Sequence, residues 1–387
     1  MAFISGPDGD LKTAFVSDAF LLDQFVGNTL FTWGYNPHGT IGDNTSLEKS
    51  NPVQTVTGGI NWKFSGGGLS YTQAAIKTDG TLWTCGYNYW GCLGDNTNIK
   101  RSSPVQTVAF GTNWKQVASG YFQTGAIKTD GTLWTWGNNG NGQLGDNTIL
   151  SKSSPVQTVA FGINWKQFAG GFDHCAAIKT DGTLWTWGNN ASGQLGDNTI
   201  ANKSSPVQTV AFGTNWKQVS GGSNYTAAIK TDGTLWAWGL NSNGQLGDNT
   251  IVKKSSPVQT VAFGTNWKQV ACGHDHMAAI KTDGTLWIWG LGTTGQLGDN
   301  TILSKSSPVQ TIAGGTNWKQ VSAGYKITAC VKTDGTLWAW GSNGFGQLGN
   351  NTITNRSSPV QTSAYGNNWK QVSCNKYNTA AVTNGDL

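Results

Sequence analysis

The sequence predicts an all-β protein: a seven-bladed β-propeller of four-stranded blades, with a short N-terminal arm. Three observations carry this. A unit of about 51 residues recurs seven times over residues 28–387, its beat marked by the leucine of Leu-Trp-x-Trp-Gly at Leu30, Leu82, Leu133, Leu184, Leu235, Leu286 and Leu337. Repeats of this length indicate an array or a propeller. Each unit holds four short segments rich in Val, Ile, Thr and Trp, bounded by Gly, Asn, Asp and Pro, which is the signature of strands. An Asp-Gly pair joins AAIKT to TLW in six copies, a strong hairpin signal, read here as a type I′ turn.

Taken in chain order, the first element is the arm, residues 1–27, which falls outside the repeat. Its segment 13–26, TAFVSDAFLLDQFV, is strongly apolar and has helical spacing. Phe15, Phe20, Leu21, Leu22 and Phe25 are the residues expected to anchor it to a larger assembly or to pack it on the propeller. The unit that follows is typified by LWTWGNN, GQLGDNT, SSPVQTV, AFGTN, WKQVSGG and TAAIKTDG. Its four strands are LWTWG, SPVQTV, WKQVSG and TAAIKT. The two tryptophans of LWTWG stand two apart and therefore share one face of the strand, where a neighbouring blade would cover them. Phe31 replaces the first and Cys85 the second in units one and two, which should leave those seams slightly under-packed. The chain stops inside the Asp-Gly turn of the last unit and starts just after it. Residues 28–34 and 379–384 each lack a hairpin partner, and pairing them would close the ring and remove its open edges.

Composition narrows the function. The 387 residues carry a net charge of +5, with only 12% charged residues, 54 glycines and 20 tryptophans. The basic residues recur evenly, so the clustered patch of a nucleic-acid footprint is absent. No apolar run is long enough for a membrane-spanning helix, and no secretory leader is expected at the N-terminus. The six cysteines include no C-x-x-C pair and read as buried free thiols. Lysine recurs twice per unit, after Trp (Lys63 and its equivalents) and in IKTDG (Lys77 and its equivalents). The first set is expected as a solvated ring and the second as offset by the turn aspartate, an anionic docking surface being the alternative.

At this point the repeat resembles that of the regulator of chromosome condensation family. The resemblance rests on LWxWGxNxxGQLG, SSPVQT, the Gly-Gly-x-x-His stretch and AAIKTDG, and extends over residues 28–387. It implies a seven-bladed propeller but little about activity, since fold does not give function. Members include exchange factors for a small nuclear GTPase, ultraviolet-B photoreceptors, inhibitor proteins, parts of ubiquitin ligases and virion proteins of tailed phages. The family's repeated histidine is kept only at His174 and His276, and the photoreceptor's Gly-Trp-Arg-His-Thr signature is absent. The exchange factor's acidic wedge has no counterpart either.

No nucleophile elbow, P-loop or metal-binding HExxH pattern occurs, so an enzyme, a cofactor and a metal are not expected. His174 beside Asp173, and His274 and His276 beside Asp275, are the only His-Asp neighbours. Adjacent side chains on a strand or loop are expected to point apart, so neither is expected to form a pair.

The copies differ mainly on one side. If the TDG turns lie on face one, chain parity puts the GNxxGQLG and GGxxH loops on face two. Face one is nearly constant. Face two varies as Pro37-His38, Tyr89-Trp90, Gly140-Asn141 and Phe345 in its first loop, and as Tyr71, Tyr121-Phe122, Phe172-Asp173, His274-Asp275, Tyr325-Lys326 and Lys376-Tyr377 in its last. One-sided variation points to a recognition surface. The candidate partner-binding residues are Pro37, His38, Tyr89, Trp90, Tyr121, Phe122, Phe172, Asp173, His274, Asp275, Tyr325 and Phe345. The expected function is a non-enzymatic structural or binding protein, a virion component of a tailed phage held by its arm. Its expected partners are other virion or assembly proteins and a host surface protein or glycan, with no nucleic acid and no membrane insertion. The alternative is an intracellular, cytoplasmic regulator or inhibitor that grips a protein partner through the same face.

Overall fold

The computed structural model of the chain describes residues 27–384 except residues 57, 58, 60 and the Ala-Phe or Ala-Tyr pair of five face-one turns. Nearly all of the expected arm, with Phe15, Phe20, Leu21, Leu22 and Phe25, lies outside the described residues. The rest forms seven antiparallel four-stranded sheets around one axis, as the repeat requires. One blade runs from the inner strand Trp216–Gly221 through Tyr225–Lys230 and Leu235–Gly239 to the outer strand Lys254–Gln259. The outer strand contains the repeat's proline, which lacks an N–H and is tolerated at a sheet edge. Ring closure follows the expectation. Leu30–Gly34 pairs with Asn378–Thr383 in a register that sets Leu30 opposite Val382 and Gly34 opposite Asn378, so one blade is built from both ends of the chain.

Two devices hold neighbouring blades together. In every motif but that of unit two, which has Cys85, the second tryptophan is fully buried against the preceding blade, and Trp187, for example, donates from Nε1 to Gln143 O at 2.9 Å. The loop carrying Gln143 passes so close that a Cβ on Gly145 would stand 2.8 Å from Trp187 Nε1, and the glycine's φ of +66° is a second reason for its identity. Around the axis, the inner-strand glutamines clasp the next strand by two bonds each. Gln167 donates to Val219 O (3.1 Å) and accepts from Val219 N (3.0 Å). The clasp recurs from Gln116 round to Gln371, which grips Ser65. Phe64 stands where the seventh glutamine would be, and that seam is joined by a backbone bridge between Gly68 and Ser119.

Three local expectations are corrected. In the TDG turns only the glycine has positive φ (Gly182, +81°), Gly182 N donates to Lys179 O, and Lys179 N to Thr183 O. The loop is thus three residues closing on a left-handed glycine, not a two-residue type I′ turn, and the aspartate caps it by accepting from Thr183 N and Oγ1. The IKTDG lysines are not simply solvated or offset by that aspartate. Lys179 Nζ lies 5.0 Å from the Trp165 ring and 4.7 Å from the Trp185 ring, and the sandwich recurs in six blades. Finally, His274 Nδ1 and Asp275 Oδ2 do form a pair, at 2.6 Å. They lie in a loop before the strand begins, so the alternation that separates strand neighbours does not apply.

Candidate binding surface at one mouth of the propeller

The loop that follows each inner strand is closest to the axis, and six such loops place a ring side chain there. Tyr71, Tyr121, Phe172, His274, Tyr325 and Tyr377 follow one another around the mouth at centroid separations of 5.9, 3.9, 6.0, 4.3 and 5.3 Å. Tyr377 closes on Tyr71 at 6.0 Å. The Tyr121–Phe172 pair is stacked at 15° and the others are tilted or edge-on, as the quadrupoles of aromatic rings favour. The unit without an aromatic, Ser223-Asn224, falls between Phe172 and His274.

Lys376 occupies the same loop position as Tyr121, Phe172, His274 and Tyr325, and its ammonium is centred in the ring. Nζ stands 4.5 Å from the Tyr71 and Tyr121 centroids, 5.2 Å from Tyr377 and 5.4 Å from Tyr325, and donates to Tyr121 Oη at 2.9 Å. The residue is only 9% exposed. Four ring faces therefore replace the carboxylate that a buried lysine ordinarily needs. Burial, reinforced by the neighbouring tyrosines, raises the Tyr71 phenol, so it stays neutral.

A second tier comes from the first loop of each unit. Phe345 packs on Tyr35 (4.8 Å) and Tyr377 (5.4 Å), His38 on Tyr71 (5.4 Å) and Tyr87 (5.2 Å), and Phe122 on Tyr87 (5.3 Å). Burial, with Lys100, keeps the His38 imidazole below its usual value. Of the sequence candidates, His38, Tyr121, Phe122, Phe172, His274, Tyr325 and Phe345 are thus brought together, and Asp275 joins through His274. Asp173 reaches outward to Gln143 Nε2 at 3.5 Å, and burial lifts its carboxyl to about 6. Tyr89 and Trp90 stand apart at the rim, where their rings meet each other at 5.0 Å. Pro37 is half-buried beside His38.

Tyr35 and Tyr87 were not singled out in the sequence. They follow the motif glycine, a position that also varies (Tyr, Tyr, Asn, Asn, Leu, Leu, Ser), and that variation was the available signal. Also passed over was an apolar girdle. An Ile or Leu just past the DNT turn is 61–68% exposed in every copy, from Leu47 to Ile353. Being constant, it reads as framework.

The arrangement has the makings of a docking surface. Among the described residues no cluster of three His, Cys, Asp or Glu could hold a metal. All six cysteines are free and buried, and burial raises their thiols, Cys92 and Cys272 to about 12, so none is a thiolate nucleophile at neutral pH. His174 and His276 reach Thr226 and Thr328 of the next blade at 2.9 and 3.0 Å and act as ties between blades. Among the described residues no helix is long and apolar enough to cross a membrane.

Comparison with known proteins agrees with this fold. The RCC1-like domain matches residues 153–386, and the regulator of chromosome condensation (RCC1) repeat matches residues 79–127. The ultraviolet-B receptor UVR8 of Arabidopsis thaliana is 32% identical over 325 residues, covering 82% of this chain and 73% of the receptor. The E3 ubiquitin-protein ligase HERC2 of Mus musculus is 29% identical over 94% of this chain, which spans only 8% of the ligase. Among solved structures, human WBSCR16 superposes with a TM-score of 0.82 at 21% identity, covering 93% of this chain and 100% of that one. Prp20p of Saccharomyces cerevisiae, a protein described with its binding to Gsp1p and histones, gives 0.82 at 20% identity, covering 92% and 91%. A seven-fold repeat, a ring closed by its own termini and these matches together place the chain in the RCC1-like domain family.

Proposed function

We propose that this chain is a non-enzymatic regulatory or scaffolding propeller that grips a protein partner on the face-two mouth. The observation that carries the reading is the closed aromatic ring around Lys376. Six side chains from six separate loops converge at one place, although the surrounding repeat gives those positions no common residue type. Aromatic residues clustered at the centre of a surface and backed by a rigid scaffold are what anchors a protein interface. The relatives support the class: one is a receptor, one a ubiquitin ligase, and a structural neighbour is described by its binding to other proteins. None of those named is a virion protein, so the intracellular regulator is better supported than the tail or capsid component. The arm is proposed as the attachment to a larger assembly.

A photo-crosslinking residue introduced at Tyr121 or Phe345, and at Lys115 on the opposite side as control, tests this in the source cell. Adducts to one partner from Tyr121 and Phe345 but not from Lys115 are expected. Equal adducts from Lys115, or partner binding that survives replacement of Tyr71, Tyr121, Phe172 and Tyr325 by Ser in a folded protein, would refute the reading. Fractionating the source separates a particle-bound chain from a free one, and removing residues 1–20 shows whether the arm holds it there.

A further inference from the structure

The Tyr89–Trp90 loop does not belong to the aromatic ring, and its chemistry differs. Its two rings stand at 88° to each other, 5.0 Å apart, with Tyr89 64% and Trp90 37% exposed. Between this loop and the outer edge of the next blade runs a groove of about 530 Å³ lined by Tyr89, Trp90, Asn98, Ser151 and Ser153. We infer that this groove binds a neutral oligosaccharide.

The first argument is internal. The chain presents the same loop seven times, and only here are both variable positions aromatic. Phe345 and His38, which share the position of Trp90, turn inward onto other rings. Among the described residues the one ring that Trp90 meets is Tyr89, edge-on, and Trp90 stays 37% exposed. Leaving Tyr89 and part of Trp90 in water forgoes some of the burial that stabilises the other tryptophans, and no fold requirement explains the exception, since the loop folds elsewhere with Gly140-Asn141.

The second argument is complementarity. No side chain lining the groove is charged. Of the flanking cations, Arg101 pairs with Asp95 at 3.1 Å, Lys152 lies 4.0 Å from Asp146, and Lys100 acts on His38 of the preceding unit. An anionic ligand would find no charged side chain in the lining, and a purely apolar one would strip water from an amide and two hydroxyls. A pyranose fits both halves. Its axial C–H face, polarised positive, packs on the negative face of an aromatic ring. Its vicinal hydroxyls meet the exposed Asn98 amide, which donates and accepts, and the Ser151 hydroxyl, which accepts from Asn139 N at 3.3 Å and keeps its own proton to donate.

The third argument is preorganisation. Asn88 fastens the Tyr89–Trp90 loop by donating to Asp95, Thr97 O and Ile99 O at 3.0–3.1 Å. Asn96 N ties it to the opposite wall through Ser153 O at 2.9 Å. Little is left to order on binding. Two rings at a right angle also favour a bent or branched chain over a single sugar unit, because each face takes one pyranose.

Isothermal titration of the full chain with neutral cello-, chito-, manno- and malto-hexaoses, and with an acidic heparin fragment, tests this. At least one neutral oligosaccharide should bind with a Kd of about 1 mM or tighter. Trp90→Ala and Tyr89→Ala should each weaken it by about tenfold or more, and Trp90→Phe should retain most of the binding. Phe345→Ala, in the aromatic ring, should leave it unchanged. Unaltered thermal unfolding of Trp90→Ala shows that the loss is local. Binding of none of the neutral set, binding of the acidic fragment alone, or a loss shared equally by Phe345→Ala would overturn the inference. These outcomes leave the protein-docking reading of the ring untouched, and failure of that reading leaves the groove untouched.

Discussion

Replacing Trp187 and Trp238 by alanine, in separate proteins, measures what holds the blades together. Both are fully buried, both are the second tryptophan of the motif, and both pack on an inner-strand tryptophan at 6.3 and 6.2 Å. Truncation of a large aromatic core residue costs about 3–5 kcal/mol from lost transfer and the cavity left behind. The two sites differ in their polar end. Gln194 O accepts from Trp238 Nε1 (2.9 Å) and also from Thr226 Oγ1 (2.8 Å), so it keeps a donor when the indole goes. Cys175 stands where Thr226 does, and among the described residues Gln143 O accepts from Trp187 Nε1 alone. Trp187 also touches Phe168 (6.3 Å), where the other seam has Val219. An orphaned buried carbonyl costs about 1–3 kcal/mol and a lost aromatic pair about 0.5–1.5 kcal/mol. Trp187→Ala should therefore fall at or above the top of the usual range, and about 1.5–4.5 kcal/mol beyond Trp238→Ala. Guanidinium unfolding followed by circular dichroism gives both differences from the midpoints at a common slope. Equal losses, or a larger loss for Trp238→Ala, would refute the assignment of that carbonyl. Losses below about 1 kcal/mol for both would refute the seam itself.

Deleting residues 379–387 removes most of the strand that closes the ring, exposes two edges, and should cost several kcal/mol or abolish folding; an unchanged melting temperature would contradict the closure. The pH dependence of unfolding has two limbs. His174 and His276 are held neutral by burial, at about 4 against an ordinary 6.5, so the unfolded chain takes up protons first and stability drains as pH falls from about 6.5 to 4. The difference amounts to about 3 kcal/mol per histidine. His174→Gln with His276→Gln, on the precedent of Gln123 at the same position, should flatten that limb in denaturant midpoints taken from pH 7 to 4. Asp173 has the opposite sign: its raised carboxyl favours the fold below about pH 4 and loses that contribution as pH rises through about 6. Asp173→Asn should therefore raise the midpoint at pH 8 and change it little at pH 4.

What could be read from the sequence depended on whether the responsible neighbour was local. The propeller, its strand count and the closing of Leu30–Gly34 on Asn378–Thr383 were legible because repetition states each strand seven times and the chain ends mid-hairpin. The turn type was not, since Asp-Gly serves both a two-residue turn and the end of a three-residue one, and only the backbone at Asp181 distinguishes them. For Lys179 the sequence offered the aspartate two residues away, whose charge it does meet, but not the tryptophans of the flanking strands. The face-two aromatics were found from one-sided variation, but not their arrangement. Nothing in the string Asn375-Lys376-Tyr377 shows that the ammonium is centred among rings from four different loops.

The geometry of the propeller turns sequence position into distance from the axis, and this decides what a variable loop can become. A loop after the inner strand sits where seven equivalents converge, so substitutions there act together. Tyr71, Tyr121, Phe172, His274, Tyr325 and Tyr377 touch in succession, and a single lysine at one of those places is within reach of four of them. A loop after the third strand extends farther out, where its equivalents diverge. There Phe345 and His38 join the second tier only by leaning inward, and Tyr89 with Trp90 lines a separate groove against the edge of one neighbouring blade. One surface of a repetitive protein thus holds a collective ring cluster and a solitary groove, supported by the same framework. Much of the framework is tied across blades, as Trp187 is to Gln143 O and Gln167 to Val219. At the mouth and the rim the side chains answer mainly to each other, and there the copies vary.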